Sequence, residues 1–188
     1  MLALEELLQT RAICETEYQY VLFHGTPVKF DQVDIDKSRI NTDFGRGFYL
    51  TSILEQAVEW AGMKRMINTD FLEYPTAPLT YVLKFELCIE KIKKLKIIIY
   101  EDYTEEWLDK IHECRTEGRK TTENNDVTIG PMADNDISSI LYKYEKGKIG
   151  REETLNQLKF KKPNMQIAFH TEESLEAIKF INKTLELQ

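Results

Sequence analysis

Hydrophobic positions along the chain switch repeatedly between helical and strand spacing. Residues 2 to 13 place Leu2, Leu4, Leu7 and Leu8 on one helical stripe, with Glu5, Glu6 and Arg11 elsewhere. That pattern predicts an amphipathic N-terminal helix packed on the domain or on a partner. Tyr18 to Phe23 is aromatic and β-branched, which predicts a buried strand ending at His24-Gly25-Thr26-Pro27. Val28 to Gly47 is polar and irregular, the pattern of a loop or short helical turns over a surface cleft. Ser52-Ile53-Leu54-Glu55 has the form of a capping box, so a helix is expected from about Ile53 to Ile67 with Val58, Ala61 and Met66 inward.

Leu79 to Leu87 alternates as a strand, with Tyr81, Leu83, Phe85 and Leu87 on one face, and Leu95 to Tyr100 predicts another. Thr104 is placed to cap a helix running to about Arg115, whose apolar stripe is Trp107, Leu108 and Ile111. Asp126 to Gly130 reads as a short strand closing on Gly130-Pro131, followed by helices from Ile137 to Tyr144 and from Glu152 to Leu158. Gln166 to His170 predicts a strand, and Thr171 a cap for a final helix with Leu175, Ile178, Phe180 and Ile181 as its apolar face. Strands and helices do not alternate strictly, which favours an α+β fold over a doubly wound sheet. No repeat and no linker divides the chain, so residues 1–18 are expected as the N-terminal helix and 19–188 as one domain.

Composition narrows the classes. The chain has 188 residues, of which 42% are hydrophobic and 30% charged, an ordinary globular balance for one domain. A formal charge of −7 argues against a broad surface that coats nucleic acid. Apolar runs such as Ile97-Ile98-Ile99-Tyr100 fall far short of the ~20 residues of a membrane span, so no membrane partner is expected. Met1 to Glu6 does not read as a signal peptide. Cys14, Cys88 and Cys114 are odd in number and widely spaced, without zinc-ligand spacing, so no metal is expected. Buried or half-buried thiols in a reducing, cytoplasmic compartment are the simplest account.

Two segments could carry chemistry. His24-Gly25 closes the first strand, where a glycine lets a ligand approach backbone N–H and C=O groups and a histidine can hold a ribose hydroxyl. A structural histidine is the plainer alternative. Asp43-Phe44-Gly45-Arg46-Gly47-Phe48-Tyr49-Leu50-Thr51 is more specific than a bare Gly-x-Gly, because an aromatic pair and a capped helix follow it directly. It sets Tyr49 at a strand and Trp60 in the next helix, two rings that could face each other across a flat ligand. A glycine-rich hairpin with core aromatics is the alternative.

With these elements in order, the sequence resembles the ADP-ribosyltransferase superfamily, in its His-Tyr-Glu branch with diphtheria toxin and the poly-ADP-ribose polymerases. The matching elements are His24-Gly25, Phe44-Gly45-Arg46-Gly47-Phe48-Tyr49 and Asn164-Met165-Gln166-Ile167-Ala168-Phe169. It looks closest to a bacterial family of uncharacterised function placed in that superfamily, with Gln56-Ala57, Trp60-Ala61, Asp126 to Asp134 and Gln166 to Thr171 as further signatures. The resemblance spans residues 20 to 182 and implies a split β-sheet core with surrounding helices.

It further implies NAD as substrate, with its carboxamide on the backbone of Gly25 and its adenosine ribose held by His24. Thr26 would continue that binding strand. Tyr49 and Trp60 would sandwich the nicotinamide, and Phe44, Gly45, Arg46 and Gly47 would form the adjoining loop, with Arg46 placed for the pyrophosphate. His24, Tyr49 and Gln166 are then the catalytic positions. Ala57 stands where the superfamily usually has a serine bonded to the carboxamide, so one hydrogen bond of ~1 kcal/mol is missing.

Gln166 stands where the superfamily has glutamate, offering a dipole in place of a charge. A unit charge at ~4 Å and an effective dielectric of ~20 is worth roughly 4 kcal/mol, about a thousandfold in rate. Either transfer is slow, or another carboxylate (Asp43, Asp126 or Asp134) substitutes, or NAD binds without turnover. The expected function is transfer of ADP-ribose to a protein or nucleic-acid acceptor, by a toxin-like effector that an inhibitory protein could hold in check. A catalytically inactive NAD- or protein-binding module of the same fold is the alternative. From Lys143 to Lys162, seven basic residues stand against Glu145, Glu152 and Glu153, either a face for an anionic target or a solvated helix surface.

Overall fold

A computed structural model describes residues 20–28, 30, 32–70, 80–118, 124–134, 136–162 and 164–186. The expected helix over residues 2 to 13 and Cys14 lie outside them. In chain order the elements are β1 (Tyr20–Thr26), a 3-10 turn (Ile35–Lys37), β2 (Phe48–Leu50), α1 (Leu54–Asp70), β3 (Thr80–Leu87), α2 (Ile89–Ile92) and β4 (Ile97–Ile99). They continue as α3 (Glu105–Thr116), β5 (Val127–Gly130), α4 (Ile137–Glu145), α5 (Arg151–Leu158), β6 (Gln166–Phe169), α6 (Glu172–Leu175) and β7 (Ile178–Glu186). The fold is α+β, and no helix among the described residues is long and apolar enough to cross a membrane. The chain divides into two compact units: Met1–Val33, Tyr49–Leu95 and Glu172–Gln188 form the first, Asp34–Phe48 and Lys96–Thr171 the second.

The first unit is built on an antiparallel sheet of order β1-β3-β7. Leu22, Val82, Leu83, Phe85 and Leu87 are buried in it, and α1 packs on β1 and β3. The helix turns Ala57 and Ala61 inward, both 1% exposed, while Val58 is only half-buried. Small residues four apart bring the helix backbone close: a Cβ at Gly25 would lie 2.8 Å from the Ala61 nitrogen and 2.9 Å from the Ala57 carbonyl carbon. Ahead of α1 it is Thr51 that supports the turn, its Oγ1 accepting from the Ile53 N–H at 3.1 Å, and the helix starts one residue later than the capping box suggests.

The final helix expected after Thr171 is not formed. The helical turn stops at Leu175, and Ile178 to Glu186 is strand β7. Leu175, Ile178 and Ile181 fit helical spacing, but Ile178 and Phe180 equally fit an alternating strand, and β3 offers a partner: Phe85 pairs with Phe180 in register, their rings edge to face at 5.5 Å. A cross-strand aromatic pair adds ~0.2–1 kcal/mol, and the ladder satisfies the backbone of an otherwise open β3 edge. The Thr171 hydroxyl donates to Asp126 Oδ1 at 3.0 Å.

The second unit holds β4, parallel to β5, and β6, antiparallel to β5. Every residue of β5 and β6 is buried, the polar Thr128 and Gln166 included. Helix α3 follows the sequence pattern closely: Thr104 Oγ1 accepts from the Trp107 N–H at 3.2 Å, and Trp107, Leu108 and Ile111 are fully buried. The Trp107 indole N–H donates to the Pro131 carbonyl at 3.0 Å, tying the helix to the turn after β5. Cys88 in the first unit and Cys114 in the second are buried free thiols.

Candidate functional site

The expected site residues fall into both units. His24, Gly25, Thr26, Tyr49 and Trp60 belong to the first, and Phe44, Gly45, Arg46, Gly47 and Gln166 to the second.

In the first unit, β1 runs through His24-Gly25-Thr26 instead of stopping before it. Phe23 exchanges both backbone bonds with Thr51, at 2.7 and 2.9 Å. Because backbone groups in an antiparallel strand alternate edges, the N–H and C=O of Gly25 point to the same edge as those of Phe23, away from β3. The His24 ring is fixed by Nδ1, which donates to the Tyr49 carbonyl at 2.7 Å and leaves Nε2 as the acceptor of the neutral ring. The structure therefore brings two of the expected residues together across 25 positions of sequence. Thr26 closes the strand, its Oγ1 accepting from the Val28 N–H at 3.1 Å. Tyr49 and Trp60 are both half-buried. Gly25 also has a packing reason to lack a side chain, the α1 backbone beside it.

In the second unit the glycine loop is closed on itself. The Gly45 N–H donates to the Thr42 carbonyl at 3.0 Å, the Thr42 hydroxyl donates to the Gly45 carbonyl, and Gly45 has a φ of 77°, where a Cβ is disfavoured. Phe44 is fully buried and stacks on Tyr100 with centroids 5.8 Å apart, so its ring belongs to the core of this unit. Gly47 lies where a Cβ would come within 2.8 Å of the Phe169 carbonyl oxygen. The His170 Nδ1–H donates to the Arg46 carbonyl at 2.7 Å and its Nε2 accepts from the Thr128 hydroxyl at 2.9 Å, pinning the loop to the end of β6. The Arg46 guanidinium, expected to meet a pyrophosphate, bonds Asp36 Oδ1 at 3.1 Å.

Gln166, at the start of β6, is 6% exposed, and its amide is fully committed as a donor. Nε2 donates to Asp43 Oδ2 at 2.8 Å and to the Pro131 carbonyl at 3.3 Å. Asp43, 5% exposed, also accepts from the Ala133 N–H at 3.0 Å through Oδ2. Its Oδ1 takes both Nε, at 2.9 Å, and Nη2 of Arg115. Of the three aspartates that could substitute for a missing carboxylate, Asp43 alone bonds Gln166. Asp126 instead accepts from the Lys96 N–H at 2.9 Å and from Thr171, and Asp134 accepts from the Asp136 N–H at 3.3 Å as a turn residue. Asn164 in the same motif is structural: its Oδ1 accepts from the Met132 N–H at 2.6 Å and its Nδ2 donates to the Tyr103 hydroxyl at 2.8 Å.

Sequence reasoning sets Arg115 at a helix end and His170 at a strand end, and assigns neither to the site. Arg115 looked like the basic last turn of a helix, and nothing local links it to a carboxylate 72 residues earlier. His170 has one weak signal, a histidine directly after the apolar run Ile167-Ala168-Phe169.

Fold and site together define an α+β protein with a histidine-bearing edge strand in one unit and a clamped glutamine in the other. The family described as Protein of unknown function (DUF3990) matches residues 20–180, and the chain belongs to that family. No curated protein and no solved structure matches it.

Proposed function

We propose that this chain is an NAD-binding protein of ADP-ribosyltransferase type that transfers ADP-ribose to a macromolecular acceptor. The observation that carries the reading is the His24–Tyr49 contact. Two of the residues that the superfamily resemblance assigns to NAD, His24 and Tyr49, are held together by one hydrogen bond, next to Gly25 on the same strand.

A second reading, NAD binding without turnover, is favoured by one observation: the Asp43 carboxylate beside Gln166 is neutralised by Arg115. The local charge that would stabilise an oxocarbenium-like ribose is then largely cancelled. The experiment for both is NAD titration followed by differential scanning fluorimetry, then labelled NAD with whole-cell lysate. A saturable rise in Tm that disappears in Trp60→Ala supports binding; an unchanged Tm at millimolar NAD refutes it. Release of nicotinamide or transfer of label separates a transferase from a binding module.

A further inference from the structure

Two tyrosines near the end of α4 have opposite surroundings. Tyr144 is half-buried, its ring edge to face with His112 at 5.8 Å and its hydroxyl accepting from Arg151 Nη1 at 3.4 Å. Tyr142 is 54% exposed, and among the described residues no hydrogen bond holds its hydroxyl. Its ring is bracketed by ammonium groups: Lys146 Nζ lies 5.6 Å and Lys148 Nζ 5.7 Å from the centroid. The helix end puts them there. Gly147, at a φ of 64°, closes α4 with its N–H on the Tyr144 carbonyl and the Lys148 N–H on the Lys143 carbonyl, both at 2.9 Å. That closure turns the chain back along the last turn of the helix.

These lysines have no acidic partner. Lys143, Lys146 and Lys148 meet no carboxylate among the described residues, whereas Arg46, Arg115, Arg151 and Lys159 all do. Glu145, the one acid between residues 142 and 150, is bonded to His112 Nε2 at 3.1 Å. In a chain of net charge −7, three unpaired cations therefore gather around one exposed ring.

We propose that this end of α4 is a docking site for single-stranded nucleic acid, with a base stacked on the Tyr142 ring and adjacent phosphates on Lys143, Lys146 and Lys148. The patch offers a π-face and a set of cations at one place, and an unpaired nucleotide strand complements both. An acidic peptide complements the cations and leaves the ring uncovered. A duplex does the same, because its bases are stacked on one another and closed to the ring. The ammonium groups stand near the outer limit of a cation–π contact, so they exchange the ring for phosphate when a base takes its face. The site lies wholly within the second unit and is independent of the NAD reading.

Fluorescence anisotropy with the full chain and a labelled oligothymidylate of about ten nucleotides, at roughly 50 mM salt, tests the site. The single strand is expected to bind more tightly than a duplex of equal length or a polyglutamate peptide. Tyr142→Ala weakens binding about tenfold and leaves the Tm in place, because the ring is exposed. Tyr142→Phe keeps the affinity, since stacking needs the ring and not the hydroxyl. Each phosphate contact contributes about −0.7 to the slope of log K against log salt, so Lys146→Gln/Lys148→Gln makes the slope shallower by about 1.4. Lys91→Gln/Lys94→Gln removes the same charge from two exposed lysines of the first unit and leaves the slope unchanged. Equal loss in the two lysine pairs marks a response to net charge alone and overturns the proposal. Binding that survives Tyr142→Ala, or equal binding of duplex or polyglutamate, overturns the stacking site. No binding of the single strand by the wild type overturns the proposal outright.

Discussion

Substituting alanine at Gly25 is the sharpest test of how the first unit is put together. The added Cβ would overlap the Ala57 carbonyl oxygen outright and lie 2.8 Å from the Ala61 nitrogen. Both obstacles are helix backbone, which cannot rotate aside as a side chain would. Contact distances of ~3.5–4.0 Å are restored only if α1 retreats from β1 by roughly 1.5–2 Å. The retreat loosens the packing of Ala57 and Ala61, both 1% exposed. Overpacking of this kind costs typically 1–3 kcal/mol and more where backbone must move, so ~3 kcal/mol is expected. For a chain of this size that corresponds to a fall in Tm of ~6–12 °C. Urea denaturation gives the free energy directly, with Gly62→Ala as the matched control. Gly62 lies on the exposed side of the same helix with nothing within 4 Å of a Cβ, so alanine there should stabilise by ~0.5–1 kcal/mol. A Gly25→Ala protein within about 0.5 kcal/mol of wild type, on the ordinary scale of surface changes, would refute the close approach. The same result would return Gly25 to a role defined by a ligand alone.

Two further outcomes follow from local contacts. Thr104→Ala leaves the Trp107 N–H without its cap and should cost ~0.5–2 kcal/mol in urea denaturation, with the helix start losing amide protection first. Burial holds the Tyr103 phenol above the ordinary tyrosine range, and its O–H also donates to the Met132 carbonyl at 3.0 Å. A raised acid pKa in the fold means this contribution is intact below about pH 10 and lost as pH climbs through the folded value. Absorbance titration at alkaline pH should show a late-ionising phenol that disappears in Tyr103→Phe.

Legibility in the sequence followed the range of the forces involved. Helix α3 was readable because its cap, its first-turn acids and its apolar stripe all lie within 12 residues. Strands β5 and β6 are readable because short apolar segments, Val127 with Ile129 and Ile167 to Phe169, end at Gly130-Pro131 and His170. Residues 175 to 181 were not, since the same side chains satisfy a helical and an alternating pattern, and the choice was made by Phe85, far back in the chain. In the glycine loop, Phe44 is a core ring and Gly47 a point of close approach to β6, roles that the loop's spacing alone does not show. Asp43 was recognised as a candidate carboxylate, whereas its pairing with Arg115 and Gln166 depends on three segments meeting, for which no spacing rule exists. Gly25 shows the remaining difficulty: one residue type answers to a ligand and to a helix, and only the neighbouring backbone tells them apart.

The pairing of β7 with β3 has a consequence for how the protein must be made. As the chain leaves the ribosome, β1 and β3 can zip together early, but the far side of β3 has to wait until residues 178–186 emerge, some ninety positions later. Throughout that interval an apolar strand edge stays open to other nascent chains. Premature termination before Ile178 would leave that edge permanently unpaired. Such fragments should therefore be selectively insoluble, and the demand on chaperones should rise the more slowly the codons for residues 178–186 are read.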